Sequence, residues 1–131
     1  MSSVFTKIIN GEIPCYKIAE DELFLAFLDI EPLRRGHVLV VPKKEVDKVY
    51  EADAVYLQNW FLFAQPIARA IEKAIDCKRV GISFIGLEVP HAHMHLVPIN
   101  SANDLNFTQK PESVTASELA DIQRLILDKM L

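Results

Sequence analysis

Residues 91–97 constrain the fold more than any other part of the chain, because histidine alternates there with apolar residues. Successive side chains of a β-strand point to opposite faces, so a strand would separate the three histidines from the three apolar residues. The histidines are His91, His93 and His95, and the apolar residues are Ala92, Met94 and Leu96. On a helix the same histidines would be spread around the axis. The pattern therefore predicts a strand with one buried apolar face and one histidine face.

Other short apolar segments, bounded by turn residues, predict the rest of a sheet. The candidate strands are residues 16–20, 23–29, 37–41 and 80–84, followed by the histidine segment. Most of these strands are joined by short turns, which favours antiparallel pairing. We expect one antiparallel sheet of about five strands.

A long helix is expected between the third and fourth strands. Apolar residues recur there at helical spacing from Trp60 to Ile75, and Asp53 is a suitable N-cap. Pro66 lies inside this pattern, so a kink or a break is expected at that point.

The C-terminal part combines a long polar loop, residues 98–114, with a second helix. Thr115 and Glu118 fit a capping box, and an amphipathic pattern continues from there to Met130. A loop of this length is often functional. The overall order of elements predicts the α+β class: a sheet with one long central helix and a C-terminal helix.

Length and charge limit the partners of the chain. Its 131 residues are half hydrophobic, so one domain, residues 1–131, is expected. The formal net charge is −4, whereas binding to nucleic acid or to a membrane surface calls for a basic excess. Cys15 and Cys77 are isolated and predict reduced thiols. No signal peptide or membrane span is predicted, so a cytoplasmic location is expected.

The histidine face has three possible meanings. It is a polar surface, a metal site, or a site for chemistry at phosphorus. Histidine is scarce in this chain, and three of its four copies lie in one segment, which disfavours a plain surface. A structural zinc site needs four ligands, and few others lie nearby in the sequence. Imidazole is a nucleophile and an acid–base group near neutral pH, so we favour chemistry at phosphorus.

Four sequence blocks together resemble the histidine triad (HIT) superfamily, in its nucleotide-binding hydrolase branch. The first is HAHMHLV at residues 91–97, which has the pattern His-x-His-x-His followed by two apolar residues. The others are FTKIINGEIP at 5–14, AFLDI at 26–30 and GHVLVVPK at 36–43. The resemblance runs from about Val4 to Ile99, and the C-terminal loop and helix lie outside it.

The resemblance implies a homodimeric HIT-like fold and an activity on a purine nucleotide. Such proteins cleave an ester or phosphoramidate bond at the α-phosphate of a nucleoside 5′-phosphate derivative. His93 would be the nucleophile, forming a nucleotidyl-histidine that water or another acceptor resolves. His95 would donate to a non-bridging phosphate oxygen, and His91 and His37 would complete the polar wall.

The second block implies a nucleoside pocket. Asp29 would bind the ribose hydroxyls, while Phe27 and Ile30 would sandwich the base. The alternative for Phe27 and Ile30 is plain core packing, and the alternative for Asp29 is a turn at the end of a strand.

Three positions depart from a zinc site that many bacterial relatives carry. That site uses a C-x-x-C pair, a later histidine and a histidine of the triad. The corresponding residues here are Ser3, Thr6 and Glu45, so we expect no metal and no other cofactor.

A second departure lies just before the triad. The usual Gly-Gln-Ser/Thr-Val pattern is replaced by Gly86-Leu87-Glu88-Val89, which places Glu88 in the region of the leaving group. The leading interpretation is an enzyme: a nucleoside phosphoramidase or a dinucleoside-polyphosphate hydrolase. The altered segment keeps open a nucleotide-binding or adaptor protein with little turnover. A histidine metalloprotein is the third possibility.

Overall fold

Five antiparallel strands form one sheet in a computed structural model that describes residues 2–130. The strands are β1 (Lys17–Glu20), β2 (Phe24–Leu28), β3 (Val38–Pro42), β4 (Arg79–Ser83) and β5 (Met94–Ile99), in the spatial order β1-β2-β3-β5-β4. The helices are α1 (Val4–Ile9), α2 (Ala54–Ala74) and α3 (Ala116–Lys129). This architecture confirms the predicted α+β class. Met1 and Leu131, the ends of the predicted domain, lie outside the described residues.

The main core lies between one face of the sheet and the helices α2 and α3. Met94 and Leu96 are fully buried there, together with Trp60 and Ile71 of α2 and Ile126 of α3. The apolar half of the histidine segment therefore points into the core, as its alternation predicts.

A smaller apolar cluster forms on the opposite face of the sheet, beneath α1. It contains Phe5 from α1, Leu25 and Phe27 from β2, and Leu39 and Val41 from β3. Strands β2 and β3 are consequently buried on both faces, which explains why their sequences are nearly continuous apolar runs.

The break expected at Pro66 does not occur, and α2 runs unbroken for 21 residues. Pro66 lies on the exposed face of the helix, as does Leu62 one turn before it. The carbonyl group of Leu62, which loses its amide partner at Pro66, belongs to this exposed face, where solvent is the natural replacement for the lost partner. Among residues 2–130, no helix combines the length and the apolar character that crossing a membrane requires.

The strand expected over residues 91–97 begins three residues late, at Met94. The amide of His91 donates to the carbonyl of Val89 at 2.8 Å, and the amide of Ala92 donates to the carbonyl of Val46 at 2.7 Å. These two bonds hold the start of the segment in a turn and away from the sheet ladder.

The segment expected as a loop, residues 98–114, is tied to the turn that precedes β3. Its first residues complete β5, and Ala102–Leu105 forms a short 3-10 turn. Arg34 pairs with Asp104, and the amide of Glu112 donates to the carbonyl of Pro32 at 2.8 Å. The capping box predicted at Thr115 and Glu118 is confirmed at the start of α3.

Candidate active site

All four histidines lie together on the side of the sheet that carries the smaller cluster. His95 lies on β5 opposite Leu39 of β3, and His37 immediately precedes β3. The ring centroids of His93 and His95 are 4.7 Å apart, and those of His37 and His95 are 5.2 Å apart. All four rings are buried. Gly36, the residue before His37, lets the backbone pass close to the side chain of Ile75, since a Cβ at position 36 would lie 2.9 Å from that side chain.

His93 is held in one tautomer by its own backbone neighbourhood. Its Nδ1 lies 2.7 Å from the carbonyl oxygen of His91. A carbonyl oxygen only accepts, so Nδ1 carries the proton and Nε2 keeps its lone pair. Burial lowers the pKa of His93, so the ring is neutral at physiological pH. An unprotonated imidazole nitrogen, available for nucleophilic attack, is the result.

A chain of hydrogen bonds sets the tautomer of His95 as well. The amide of Leu33 donates to Nδ1 of His37 at 3.1 Å, so neutral His37 carries its proton on Nε2. That proton is donated to Nδ1 of His95, 2.9 Å away, which leaves the proton of His95 on its Nε2. Burial lowers the pKa of both His37 and His95 to about 3, so both rings are neutral.

The ring of His91 has different hydrogen-bond partners from the other two triad histidines. Its Nε2 lies 2.8 Å from the carbonyl oxygen of Pro42, and its Nδ1 lies 2.6 Å from the hydroxyl of Ser3. The rings of His37, His93 and His95 contact one another, and the part of His91 in the expected polar wall stays a prediction. His91 contributes its backbone carbonyl, through the turn that ends at Met94.

The predicted nucleoside residues have different environments. Asp29 follows β2 directly, and its carboxylate accepts the amide of Glu31 at 2.9 Å and lies 3.8 Å from Nε2 of His37. Burial raises the pKa of Asp29 to about 6. Ile30 is 63% exposed, whereas Phe27 is 3% exposed and packs in the smaller cluster against Phe5. The burial of Phe27 fits the core-packing alternative, and its contact with a base stays a prediction.

Glu88 is exposed, but its charge acts on Asp29 and on one of the histidines, His93. It raises the pKa of Asp29, and it opposes part of the effect of burial on the pKa of His93. A carboxylate that influences both groups lies on the rim of the site. Its neighbour Leu87 is 89% exposed.

Comparison with known proteins agrees with this geometry. The HIT domain family model matches residues 10–102, which is well over half of the chain. The chain belongs to the HIT-domain family. An adenosine 5′-monophosphoramidase of Schizosaccharomyces pombe is 36% identical over 103 residues, covering 75% of this chain and 74% of that protein. A HIT protein of Bacillus subtilis is 39% identical over 102 residues, covering 72% and 69%.

Solved structures of other HIT proteins share the whole fold. A HIT-like protein from Bartonella henselae superposes with a TM-score of 0.85 at 27% identity, covering 98% of this chain and 96% of that one. A zinc-bound histidine triad protein from Mycobacterium smegmatis has a TM-score of 0.83 at 29% identity, covering 99% and 94%.

Within residues 2–130, the one cluster of potential metal ligands does not form a good metal site. Asp29, His37 and His95 bring ligand atoms within 4.8 Å of one another. A ligating nitrogen must offer a lone pair, but the bond from Leu33 places the proton of His37 on the nitrogen that faces this group. The absence of a resident metal stays a prediction, now with a physical reason.

The positions expected to have lost their zinc ligands are joined by hydrogen bonds instead. The Glu45 carboxylate accepts the hydroxyl of Thr6 at 2.7 Å and the amide of Ser3 at 2.7 Å, and Ser3 contacts His91. Only Glu45 and His91 in this group have side chains that commonly bind zinc, so the group falls short of four ligands.

Phe107 is a part of the site that the sequence analysis missed. Its ring centroid lies 4.6 Å from that of His95 and 6.4 Å from that of His37. The ring covers the His37–His95 pair from the loop over residues 98–114 and contributes to its burial. The only available signal was one aromatic residue in a long polar loop.

Proposed function

We propose that this HIT protein cleaves an ester or phosphoramidate bond at the α-phosphorus of a purine nucleoside 5′-phosphate derivative. The observation that carries the proposal is the bond from Nδ1 of His93 to the carbonyl of His91, which leaves Nε2 as a neutral nucleophile. The relationship to the Schizosaccharomyces pombe adenosine 5′-monophosphoramidase supports the same reaction class.

In the first step, Nε2 of His93 attacks the α-phosphorus and a nitrogen–phosphorus bond forms. The bond from phosphorus to the leaving group breaks, and the leaving group departs with the electron pair and takes up a proton. The ring of His93 gains positive charge, and its Nδ1–H bond to the His91 carbonyl stabilises that charge. Meanwhile Nε2–H of His95 donates to a non-bridging oxygen, where negative charge must be held.

In the second step, water attacks the nucleotidyl-histidine. The nitrogen–phosphorus bond breaks and its electron pair returns to Nε2, which leaves His93 neutral again. The nucleoside monophosphate is released, and the proton lost by the attacking water goes to solvent. An acceptor other than water would make the same protein a transferase. Asp29, beside the histidines, is the proposed partner of the ribose hydroxyls, and exposed Ile30 is the proposed contact of the base.

A binding protein with little turnover is the second candidate, because exposed Leu87 and charged Glu88 replace the polar residues expected near the leaving group. One assay separates the possibilities: AMP release from an adenosine phosphoramidate, with and without a chelator. The proposed metal-free enzyme releases AMP equally in both. A binding protein binds AMP but releases none from the substrate, and a metalloenzyme loses its activity in chelator.

We further propose a homodimer in a reducing, cytoplasmic setting. Phe61 and Leu62 on α2 are 56% and 68% exposed, which is unusual for two adjacent large apolar side chains. β4 lies at the edge of the sheet. A second copy is the proposed cover for α2. Cys15 and Cys77 are both free thiols, which fits a reducing compartment.

A further inference from the structure

The N-terminal helix α1 contacts the histidine segment through its first turn. The hydroxyl of Ser3, the N-cap residue, lies 2.6 Å from Nδ1 of His91. The ring of Phe5 meets the ring of His93 edge-on at a centroid distance of 4.8 Å. Both contacts are made on the side of the sheet where the proposed nucleophile lies.

The direction of the bond between Ser3 and His91 follows from the other nitrogen of the ring. The carbonyl of Pro42 can only accept, so Nε2 of His91 carries a proton. Burial lowers the pKa of His91, so the ring is neutral and Nδ1 offers a lone pair. The Ser3 hydroxyl lies 2.6 Å from this nitrogen but 3.3 Å from the hydroxyl of Thr6, so its proton goes to His91.

Ser3 is itself held from two sides. Its hydroxyl oxygen accepts the amide of Thr6 at 3.0 Å, which completes the cap of α1. Its own amide donates to Oε1 of Glu45 at 2.7 Å, and the same oxygen accepts the hydroxyl of Thr6 at 2.7 Å. Glu45 follows β3, so its carboxylate joins the start of α1 to the sheet.

The consequence for the nucleophile passes through one backbone group. With Nε2 bonded to Pro42 and Nδ1 bonded to Ser3, the ring of His91 is fixed at both nitrogens. The carbonyl of the same residue accepts the proton on Nδ1 of His93 at 2.7 Å. A shift of His91 would therefore move the acceptor that selects the reactive tautomer of His93.

We propose that Ser3, held by Glu45, is a positioning residue for His93. It acts through His91 and touches neither substrate nor the reacting nitrogen. The proposal rests on the proposed function, in which His93 is the nucleophile.

The decisive variant is Ser3→Ala, with adenosine phosphoramidate as substrate. Loss of one buried hydrogen bond to His91 should lower kcat about fivefold to tenfold, while the Kd for AMP stays within about twofold. Ser3→Thr keeps the hydroxyl and should restore most of the loss. Ser2→Ala removes a neighbouring exposed hydroxyl and is the matched control.

Glu45 offers a second pair of variants that leaves Ser3 intact. Glu45→Gln keeps an oxygen that can accept from Ser3 and Thr6, and it should behave nearly like the native protein. Glu45→Ala removes the acceptor and should lower kcat in the same way as Ser3→Ala. This pair also serves if Ser3→Ala folds poorly.

A readout independent of turnover is the 15N NMR spectrum of the histidine rings. The native protein should show His91 protonated at Nε2 and His93 protonated at Nδ1. In Ser3→Ala, the Nδ1 signal of His91 should move and the signals of His93 should shift towards a mixture of tautomers. Unchanged ring spectra together with native kcat in folded Ser3→Ala would overturn the proposal. If the ring spectra change in Ser3→Ala but the native protein forms no covalent adduct, the role of His93 as nucleophile is overturned. The structural link from Ser3 through His91 to His93 would then remain.

Discussion

Nε2 of His37 lies 2.9 Å from Nδ1 of His95, and the amide of Leu33 occupies the other nitrogen of His37. The two rings therefore form a chain of hydrogen bonds with one direction, which ends at Nε2–H of His95. A donor at this position is what a phosphate oxygen needs when charge builds up on it.

The first prediction tests this chain. His37→Leu removes the donor, so His95 populates both tautomers and kcat for adenosine phosphoramidate should fall about tenfold or more. His37→Gln places an amide donor near the lost Nε2–H and should recover part of the activity. Native kcat in His37→Leu would show that His95 needs no such control.

The second prediction concerns stability against pH. The pKa of His37 and His95 is lowered to about 3, so the native rings stay neutral while the unfolded chain takes up protons near its ordinary value of 6.5. The stability that these rings contribute is present above pH 6.5 and is lost as the pH falls towards 3. Burial lowers the pKa of His91 and His93 too, which adds to the loss.

Asp29 opposes this trend, because its pKa is raised to about 6 and its native form takes up a proton first. The histidines outweigh it, so the free energy of unfolding in urea should be about 2 kcal/mol lower at pH 5 than at pH 7. Asp29→Asn removes the opposing group and should enlarge the difference. Equal or greater stability at pH 5 would contradict the neutral, buried histidine pair.

The third prediction is a homodimer at micromolar concentration, measured by light scattering. Phe61→Glu combined with Leu62→Glu places charge on the exposed face of α2 and should produce monomers. Leu125→Glu, which alters an exposed leucine of α3, is the matched control and should leave the dimer intact. A native protein that scatters as a monomer would refute the proposed assembly.

The fourth prediction concerns the leaving group. The charge of Glu88 on the rim should repel a polyphosphate more than an amine, which favours phosphoramidates over dinucleoside polyphosphates. Glu88→Ser should lower the ratio of kcat/KM for an adenosine phosphoramidate to that for a diadenosine polyphosphate several-fold. Glu72→Gln, on the exposed face of α2, controls for net charge. An unchanged ratio in Glu88→Ser would show that this carboxylate has no part in the choice.

Local patterns in the sequence were sufficient for most of the fold. The alternation around Met94 predicts its burial, and the pair Thr115 and Glu118 predicts the start of α3, because each depends only on residues close by in the chain. The break predicted at Pro66 was wrong, since the effect of a proline depends on whether the helix face around it is buried or exposed to solvent.

The site was harder to predict from the sequence, because its decisive contacts join residues that are far apart along the chain. The direction of the His91 ring depends on Ser3, 88 positions away, and on Pro42, 49 positions away. Phe107 reaches His95 from a loop with no periodic pattern. Alternation along a strand also cannot show that the strand begins only after His93.

The proposed nucleotidylation of His93 can be detected by rapid quenching followed by intact-protein mass spectrometry. With adenosine phosphoramidate, the native protein should carry one AMP on His93 during turnover, located by peptide mapping under conditions that preserve the nitrogen–phosphorus bond. His93→Ala should show no adduct and lose turnover by several orders of magnitude while still binding AMP. Native turnover in His93→Ala, or an adduct on another residue, would contradict the account.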